Sequence, residues 1–306
     1  MKIIENRKKF YMLSIVLILI GLGFMGMNMA KGEGAFNQDI EFTGGSLIEI
    51  EMEREFTNEL RDELAAITKE VTGKDGARIT SAGDTGVLIT MTRADSATRK
   101  KLFDTIKEKY DLSATSTSND EDFSPTISGE IKVGAVKAVV VGIVLILIYI
   151  TFRFKDYRFG TSAVIALAHD VLIMLAVYAV FRIPLNNSFI AGMLTIVGYS
   201  INDTIVIFDR IRENKAKLGN KAGNEEEIIN MSVSQTLGRS VITSVTSVVM
   251  VILLFIFGTE AVKEFAFPLI IGILAGTYSS IFIASPVWYQ FVNSKKAKKE
   301  LEAKKA

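Results

Sequence analysis

LTIVGYSINDTIVIFDRIREN, residues 194–214, starts inside an apolar run and ends in charge. Asn202 and Asp203 sit side by side in the apolar part, and Asp209 and Arg210 close it. At ~1.5 Å per residue along a helix, Asp203 lies roughly 9 Å deeper than Asp209. If that helix spans a membrane, the carboxylate stands in hydrocarbon, at about 2.5–3.5 kcal/mol on insertion scales. Two roles suit such a group: glue between helices, or a protonatable site on an ion path. Helical spacing puts Thr195, Gly198 and Asn202 on one stripe, with Tyr199 and Asp203 beside it, facing other helices or water. Leu194, Ile201, Val206 and Ile207 then face lipid or packed neighbours.

The rest of the chain supports the membrane reading. Its 306 residues are 49% hydrophobic with a net charge of +1, yet the charges are unevenly spread. They avoid residues 10–30, 138–152, 159–181 (broken only by His169 and Asp170), 188–208 (broken only by Asp203), 241–258 and 265–292. Most of these windows reach the ~17–25 residues of a spanning helix; the second does so by reaching back to about residue 133 and taking in Lys137, whose stem can snorkel to the outer interface. The expectation is six spans.

Lys and Arg in the short connections set the orientation. They crowd the N-terminus (Lys2, Arg7, Lys8, Lys9), the second-to-third connection (Arg153, Lys155, Arg158) and the fourth-to-fifth (Arg210, Arg212, Lys215, Lys217, Lys221, Arg239). The C-terminus adds Lys295, Lys296, Lys298, Lys299, Lys304 and Lys305, while the other two short connections hold only Arg182 and Lys263. Both termini are therefore expected in the cytoplasm, with the long segment after the first span outside. The first apolar run exceeds the ~7–15 residues of a signal-peptide core and reads as an uncleaved anchor.

These features divide the chain into 1–30 (N-terminus and first span), 31–132 (outer domain), 133–292 (five spans, with a cytoplasmic loop at 209–240) and a basic tail, 293–306. The absence of cysteine excludes disulfides and thiol chemistry, and the single histidine excludes an HExxH-type zinc site. No nucleophile–base or metal constellation stands out in the spacing, so an enzyme is disfavoured. No nucleic-acid partner is expected.

The outer segment reads as strand, helix, strand, strand, helix, strand, the order of a ferredoxin-like split βαβ domain. Ile48, Ile50 and Met52 alternate with Glu49 and Glu51. Leu60, Leu64, Ile67 and Val71 follow helical spacing between a Thr57 cap and Gly73. Residues 77–82 and 87–92 form a hairpin about 83–86. Leu102, Phe103, Ile106 and Tyr110 mark the second helix, 112–118 the last strand, and 116–125 a polar loop. Before the domain stands DIEFTGG, residues 39–45, whose paired glycines read as a tight turn.

Within the later spans, His169 and Asp170 lie near the middle of the third, about 100° apart, so they need not share a partner. Residues 225–240 read as an amphipathic helix at the inner surface. Ser240, Thr243, Ser244 and Ser247 line the fifth span behind Arg239. Gly272, Gly276 and Ser279 allow close approach of the sixth.

GYSINDTIVIFDRIREN resembles the fourth-span signature of the SecD/SecF family, on the SecF side. ALAHDV, TLGRSVITS and the Phe42-Thr43-Gly44-Gly45 part of the outer motif are similar in the same order; Asp39 stands where the family has glycine, and Glu41 where it has aspartate. The resemblance covers nearly the whole chain. It implies an α-helical polytopic protein of six transmembrane helices with one small α+β ferredoxin-like extracytoplasmic domain. Those six helices would pair with six from a SecD-like subunit, as in resistance–nodulation–division transporters. It implies a multi-pass protein of the bacterial inner (cytoplasmic) membrane that uses the proton gradient to help preproteins leave the channel on the outer face. The implied partners are the SecD-like subunit, the SecYEG channel, YajC and unfolded preprotein. The implied relay residues are Asp203, Arg239, Asn202, Asp170 and His169, with Phe42, Thr43, Gly44 and Gly45 as the outer motif. No cofactor is implied; the coupling ion is a proton, with sodium as the alternative. Low-dielectric surroundings favour a neutral carboxyl and a nearby guanidinium a charged one, so a motion separating Asp203 from Arg239 would couple protonation to shape. A static assembly or docking factor, and half of a small-molecule proton-coupled exporter, are the competing readings.

Overall fold

The structure, a computed structural model, describes residues 2–83, 85–113, 118–218 and 225–293. The expected basic tail beyond residue 293, Lys221 and Asp84 lie outside the described residues. In order, the elements are α1 (Arg7–Ala30), α2 (Ile40–Thr43), β1 (Gly45–Glu51), α3 (Asn58–Thr72), β2 (Arg78–Ala82), β3 (Gly86–Met91), α4 (Ser96–Tyr110) and β4 (Ser118–Phe123). Then come α5 (Pro125–Phe154), α6 (Tyr157–Phe181), α7 (Asn187–Leu218), α8 (Glu225–Phe257) and α9 (Glu260–Ser279). The last continues through a π-helical turn, Ser280–Ala284, to Asn293. Six of these helices, α1 and α5 to α9, are long and apolar enough to cross a membrane.

The small domain is built as its local signals dictate. Ile48, Ile50 and Met52 are buried between exposed acids on β1. Thr57 accepts a hydrogen bond from the Leu60 amide at the start of α3, and Gly73 ends it at φ 68°. The four strands pair antiparallel in the order β2-β3-β1-β4, with α3 and α4 packed together. The last strand departs from expectation. Among the described residues it is Ser118–Phe123, in the stretch that reads as a polar loop; of the expected 112–118, positions 112 and 113 are not strand and 114–117 lie outside the described residues. SNDEDF has no apolar alternation because it is an edge strand that shows its side chains to solvent. Its backbone pairs along β1 from Gly45–Phe123 to Ile50–Ser118. Arg99 and Arg93 neutralise Asp120 and Asp122 at 2.8 and 3.1 Å. Charge on an exposed edge also blocks pairing with another chain.

In the bundle, α6, α7 and α9 are the most buried, while α1, α5 and α8 expose most of their apolar surface. α1 packs on α6, α5 on α6, and α8 on α7 and α9. The segment 225–240 is not a separate surface helix. It forms the first half of α8, which runs unbroken to Phe257. The reason lies in its buried face: Ile228, Ile229, Ser232 and Val233 pack onto the end of α7, where Asn214 donates to Ser232 at 2.8 Å. At this end the chain before α1 is also docked. Ile3 and Ile4 are buried, and Asn230 of α8 accepts from both their amides at 2.9 and 3.2 Å.

Candidate functional site

Helices α7 and α9 lie so close that three positions on each interlock. A Cβ on Gly192 would meet Pro268 at 2.9 Å, one on Gly272 would meet Ile196 at 2.4 Å, and one on Gly276 would meet Ser200 at 2.9 Å. Contacts rising together along both chains make the helices parallel, and one further turn brings Asp203 to Ser280. There the Ser280 hydroxyl donates to Asp203 Oδ2 at 2.7 Å, and Ser240 of α8 donates to Oδ1. Ser240 and Ser280 are fully buried. A carboxylate in an apolar bundle thus has both oxygens satisfied by neutral donors on two other helices, which holds its position without neutralising it.

His169 and Asp170 do share a network. His169 Nδ1 lies 3.1 Å from Asp170 Oδ1, and Asp170 Oδ2 accepts from Ser200 at 2.7 Å and Ser279 at 2.9 Å. His169 Nε2 lies 3.0 Å from the Ser14 hydroxyl on α1. With Nδ1 protonated and donating to the carboxylate, Nε2 accepts from Ser14, and each member is satisfied. The Ser–His–Asp connectivity is that of a hydrolytic relay, which spacing along the chain does not reveal. Ser14 is only 4% exposed, however, so its hydroxyl is closed to a substrate. Tyr278 stacks on His169 at 5.8 Å and donates to the Phe10 carbonyl, tying α9 to α1.

Arg239 is not brought to Asp203. It is exposed on α8, one residue from buried Ser240, and makes no ion pair among the described residues. Asn202, Gly198 and Thr195 are exposed as well, on the outer face of α7. Polar groups on a membrane helix turned away from their own bundle are costly against lipid. Tyr199, at the edge of this stripe, donates to Ser247 at 3.1 Å. Sequence reasoning singled out Ser240, Ser244, Ser247 and Ser279 only as small or hydroxyl-bearing positions. It missed Ser14, Ser200 and Ser280, which carry no signal until a neighbouring helix is known.

The outer motif is a joint between domain and bundle. Asp39 caps α2 through the Ile40 amide at 2.7 Å and pairs with Arg78 of β2 at 2.7 Å. Phe42 is buried in one cluster with Tyr178, Leu185 and Phe189. Thr43 donates to the Asp39 carbonyl, closing the turn. Gly44 has φ 83°, open to glycine and strained for other residues, and a Cβ on Gly45 would meet Ile40 at 2.4 Å. Glu41 accepts from the Asn187 amide at 2.5 Å, at the N-terminus of α7. Burial pushes the Glu41 carboxyl up, the Asn187 amide opposes this, and the charges of Asp39 and Glu121 add to it.

Comparison with known proteins agrees with this architecture. The family model described as "Protein export membrane protein SecD/SecF, C-terminal" matches residues 89–294. Protein translocase subunit SecF of Petrotoga mobilis is 36% identical over 300 residues, covering 96% of each chain. That of Rhodothermus marinus is 35% identical over 93% of this chain and 91% of its own. The crystal structure of SecDF from Thermus thermophilus, a translocon-associated membrane protein, superposes with a TM-score of 0.79 at 34% identity, over 96% of this chain and 39% of that longer one. The chain belongs to the SecD/SecF family of protein-export membrane proteins, and it matches SecF subunits over nearly its whole length.

Proposed function

We propose that this chain is the SecF-type subunit of a protein translocase in the bacterial inner membrane, and that with a SecD-like partner it uses the proton gradient to draw preprotein from the SecYEG channel and release it outside. Asp203 is the coupling carboxylate. The observation that carries this reading is its setting: a carboxylate in the middle of α7, held by two serines and by no cation among the described residues, beside an exposed polar stripe. Each charge crossing the field is worth ~2.3 kcal/mol per 100 mV, and a carboxyl that alternates between neutral and charged forms can collect it.

A SecD-like subunit would cover Thr195, Gly198 and Asn202, and would bring Arg239 an acidic partner from across the interface. That a single SecDF chain spans both halves in Thermus thermophilus supports such a pairing. YajC is the expected accessory partner, and no enzymatic role is assigned. The strand order β2-β3-β1-β4, with β3 between β1 and β2, supports the ferredoxin-like reading of the small domain. The basic cytoplasmic connections support both termini inside.

The test is translocation into membrane vesicles with and without a proton gradient, at matched levels of complex. Asp203→Asn keeps shape and hydrogen bonding but cannot ionise. The expected outcome is normal assembly and loss of gradient stimulation, with part of it kept by Asp203→Glu. Full stimulation in Asp203→Asn would leave the static docking role as the better account. Exchanging the proton gradient for a sodium gradient identifies the coupling ion.

A further inference from the structure

Two neighbouring residues of α9 touch two carboxylates on two other helices. Ser279 donates to Asp170 on α6 and Ser280 to Asp203 on α7, at 2.9 and 2.7 Å. Adjacent helical residues point about 100° apart, which lets one short stretch reach both neighbours. Both serines are completely buried. They stand where the winding changes, Ser279 ending the α-helical part and Ser280 opening the π turn. Single π turns inside α-helices concentrate at functional sites.

Each serine also has a second acceptor on its own helix. Ser280 Oγ is 3.1 Å from the Thr277 carbonyl, and Ser279 Oγ is 3.2 Å from the Gly276 carbonyl. A serine has one hydrogen to donate, so it serves either the carboxylate or the backbone, not both fully. Serine bonded back to its own helix competes with the helical ladder and bends it.

We propose that Ser279 and Ser280 are positioning residues that couple the two carboxylates through the π turn, so that a proton on Asp203 is felt at the His169–Asp170 pair. While Asp203 is charged, Ser280 donates to it. When Oδ2 takes a proton, that oxygen becomes the donor. Its hydrogen goes to Ser280 Oγ, and the serine's own hydrogen turns to the Thr277 carbonyl. One proton has been added and no hydrogen bond is lost, but the bonding of the helix at its π turn has changed. Ser279, the preceding residue, is carried with it, and its bond to Asp170 Oδ2 adjusts. Asp170 passes the change to His169 and so to Ser14 on α1. Other ionisable groups on the helices around this core include Asp209 on α7, taken by Arg153 and Arg212 at 3.0 Å, Tyr199 on α7, which donates to Ser247, outward-facing Arg239 on α8, Tyr278 on α9 and Tyr11 on α1. None of them touches either serine hydroxyl. The consequence for transport rests on the proton-coupling reading of Asp203; the link between the two carboxylates does not.

Infrared difference spectroscopy on the complete complex in lipid tests the link. Asp203→Asn and Asp170→Asn assign the two carboxyl bands. Acidification that loads Asp203 is expected to move the Asp170 band in the parent. Ser279→Ala and Ser280→Ala are each expected to abolish that response while Asp203 still takes up its proton. Ser280→Thr, which keeps a hydroxyl, is expected to retain it. A response of full size in both alanine variants, or none in the parent, overturns the proposal. Because the readout is not transport, it separates from the earlier test. Loss of coupling with gradient stimulation intact sinks only this inference. Intact coupling with a fully active Asp203→Asn sinks only the proton-driven function.

Discussion

At the scale of the residue, one glycine and one carboxyl decide most. Gly276 leaves room for Ser200, which in turn donates to Asp170. Gly276→Ala would push Ser200 from a contact of 2.9 Å, an overpacking that typically costs about 1–3 kcal/mol. It is expected to weaken gradient stimulation more than assembly, whereas Gly23→Ala, with nothing within 4 Å, is expected to be silent in both. Vesicle translocation alongside thermal stability of the complex checks the pair. Glu41 gives a pH-dependent contact. Its ordinary value is 4.5 and burial raises it in the folded protein, so the proton favours the docked state. Its contribution is complete below 4.5 and fades as pH rises through the raised value. Glu41→Gln keeps an acceptor for the Asn187 amide and removes the charge. Hydrogen-exchange protection over residues 36–45, taken relative to the intrinsic rate at each pH, is expected to fall as pH rises from below 4.5 in the parent and to stay level in Glu41→Gln.

At the scale of the element, the docked N-terminal stretch has work beyond leading into α1. Ile3 and Ile4 join the cluster of Ile150, Phe154, Phe159 and Trp288, and Asn230 both holds their amides and donates to Glu5 at 2.9 Å. The stretch therefore links α1 to α8, which otherwise sit on different sides of the buried helices. Truncating a buried isoleucine to alanine costs about 2–5 kcal/mol. Ile4→Ala and Asn230→Ala are each expected to free the N-terminus to protease and lower the melting temperature, with little effect on membrane insertion. An unchanged digestion pattern in both would show that the stretch is held some other way. The same scale explains β4. Its pairing is carried by backbone, and its side chains report solvent and two arginines, so hydrophobic periodicity passes over it.

At the scale of the whole molecule, the bundle is unfinished on one side. The exposed Thr195, Gly198 and Asn202 stripe and the exposed Arg239 lie on the helices that carry Asp203 and Ser240, and the side-chain hydrogen-bond partners of Asp203 among the described residues are Ser240 and Ser280. Photocrosslinkers at Thr195 and Asn202 are expected to capture a SecD-like subunit. Capture of a second copy of this chain alone would replace the heteromeric assembly with a homomeric one. Reporter fusions at Gly73 and Lys217 are expected to give external and internal signals respectively. The opposite pair of signals would reverse the orientation and the direction of the proposed proton path.

What the sequence by itself determined was the set of spans, the order of elements in the small domain, the capping of α3 and the membership of the family. Those depend on composition and periodicity along a single element, which are local properties of the chain. Asp203 and Asp170 were legible as candidates for the same reason, since a carboxylate inside an apolar run is anomalous wherever its neighbours lie. Only the tertiary structure decided what those carboxylates touch. It gave Asp203 two serines and not Arg239, joined His169 to Asp170 and Ser14, and turned Thr195 and Asn202 outward. Such pairings depend on how close two helices come and on their relative phase. Here Gly192, Gly272 and Gly276 fix the approach of α7 and α9, and the π turn shifts the phase of α9 just where its serines meet both acids. A hydroxyl at a given position reads the same in sequence whether it faces lipid, its own backbone or a carboxylate, and only the packed neighbour tells these apart.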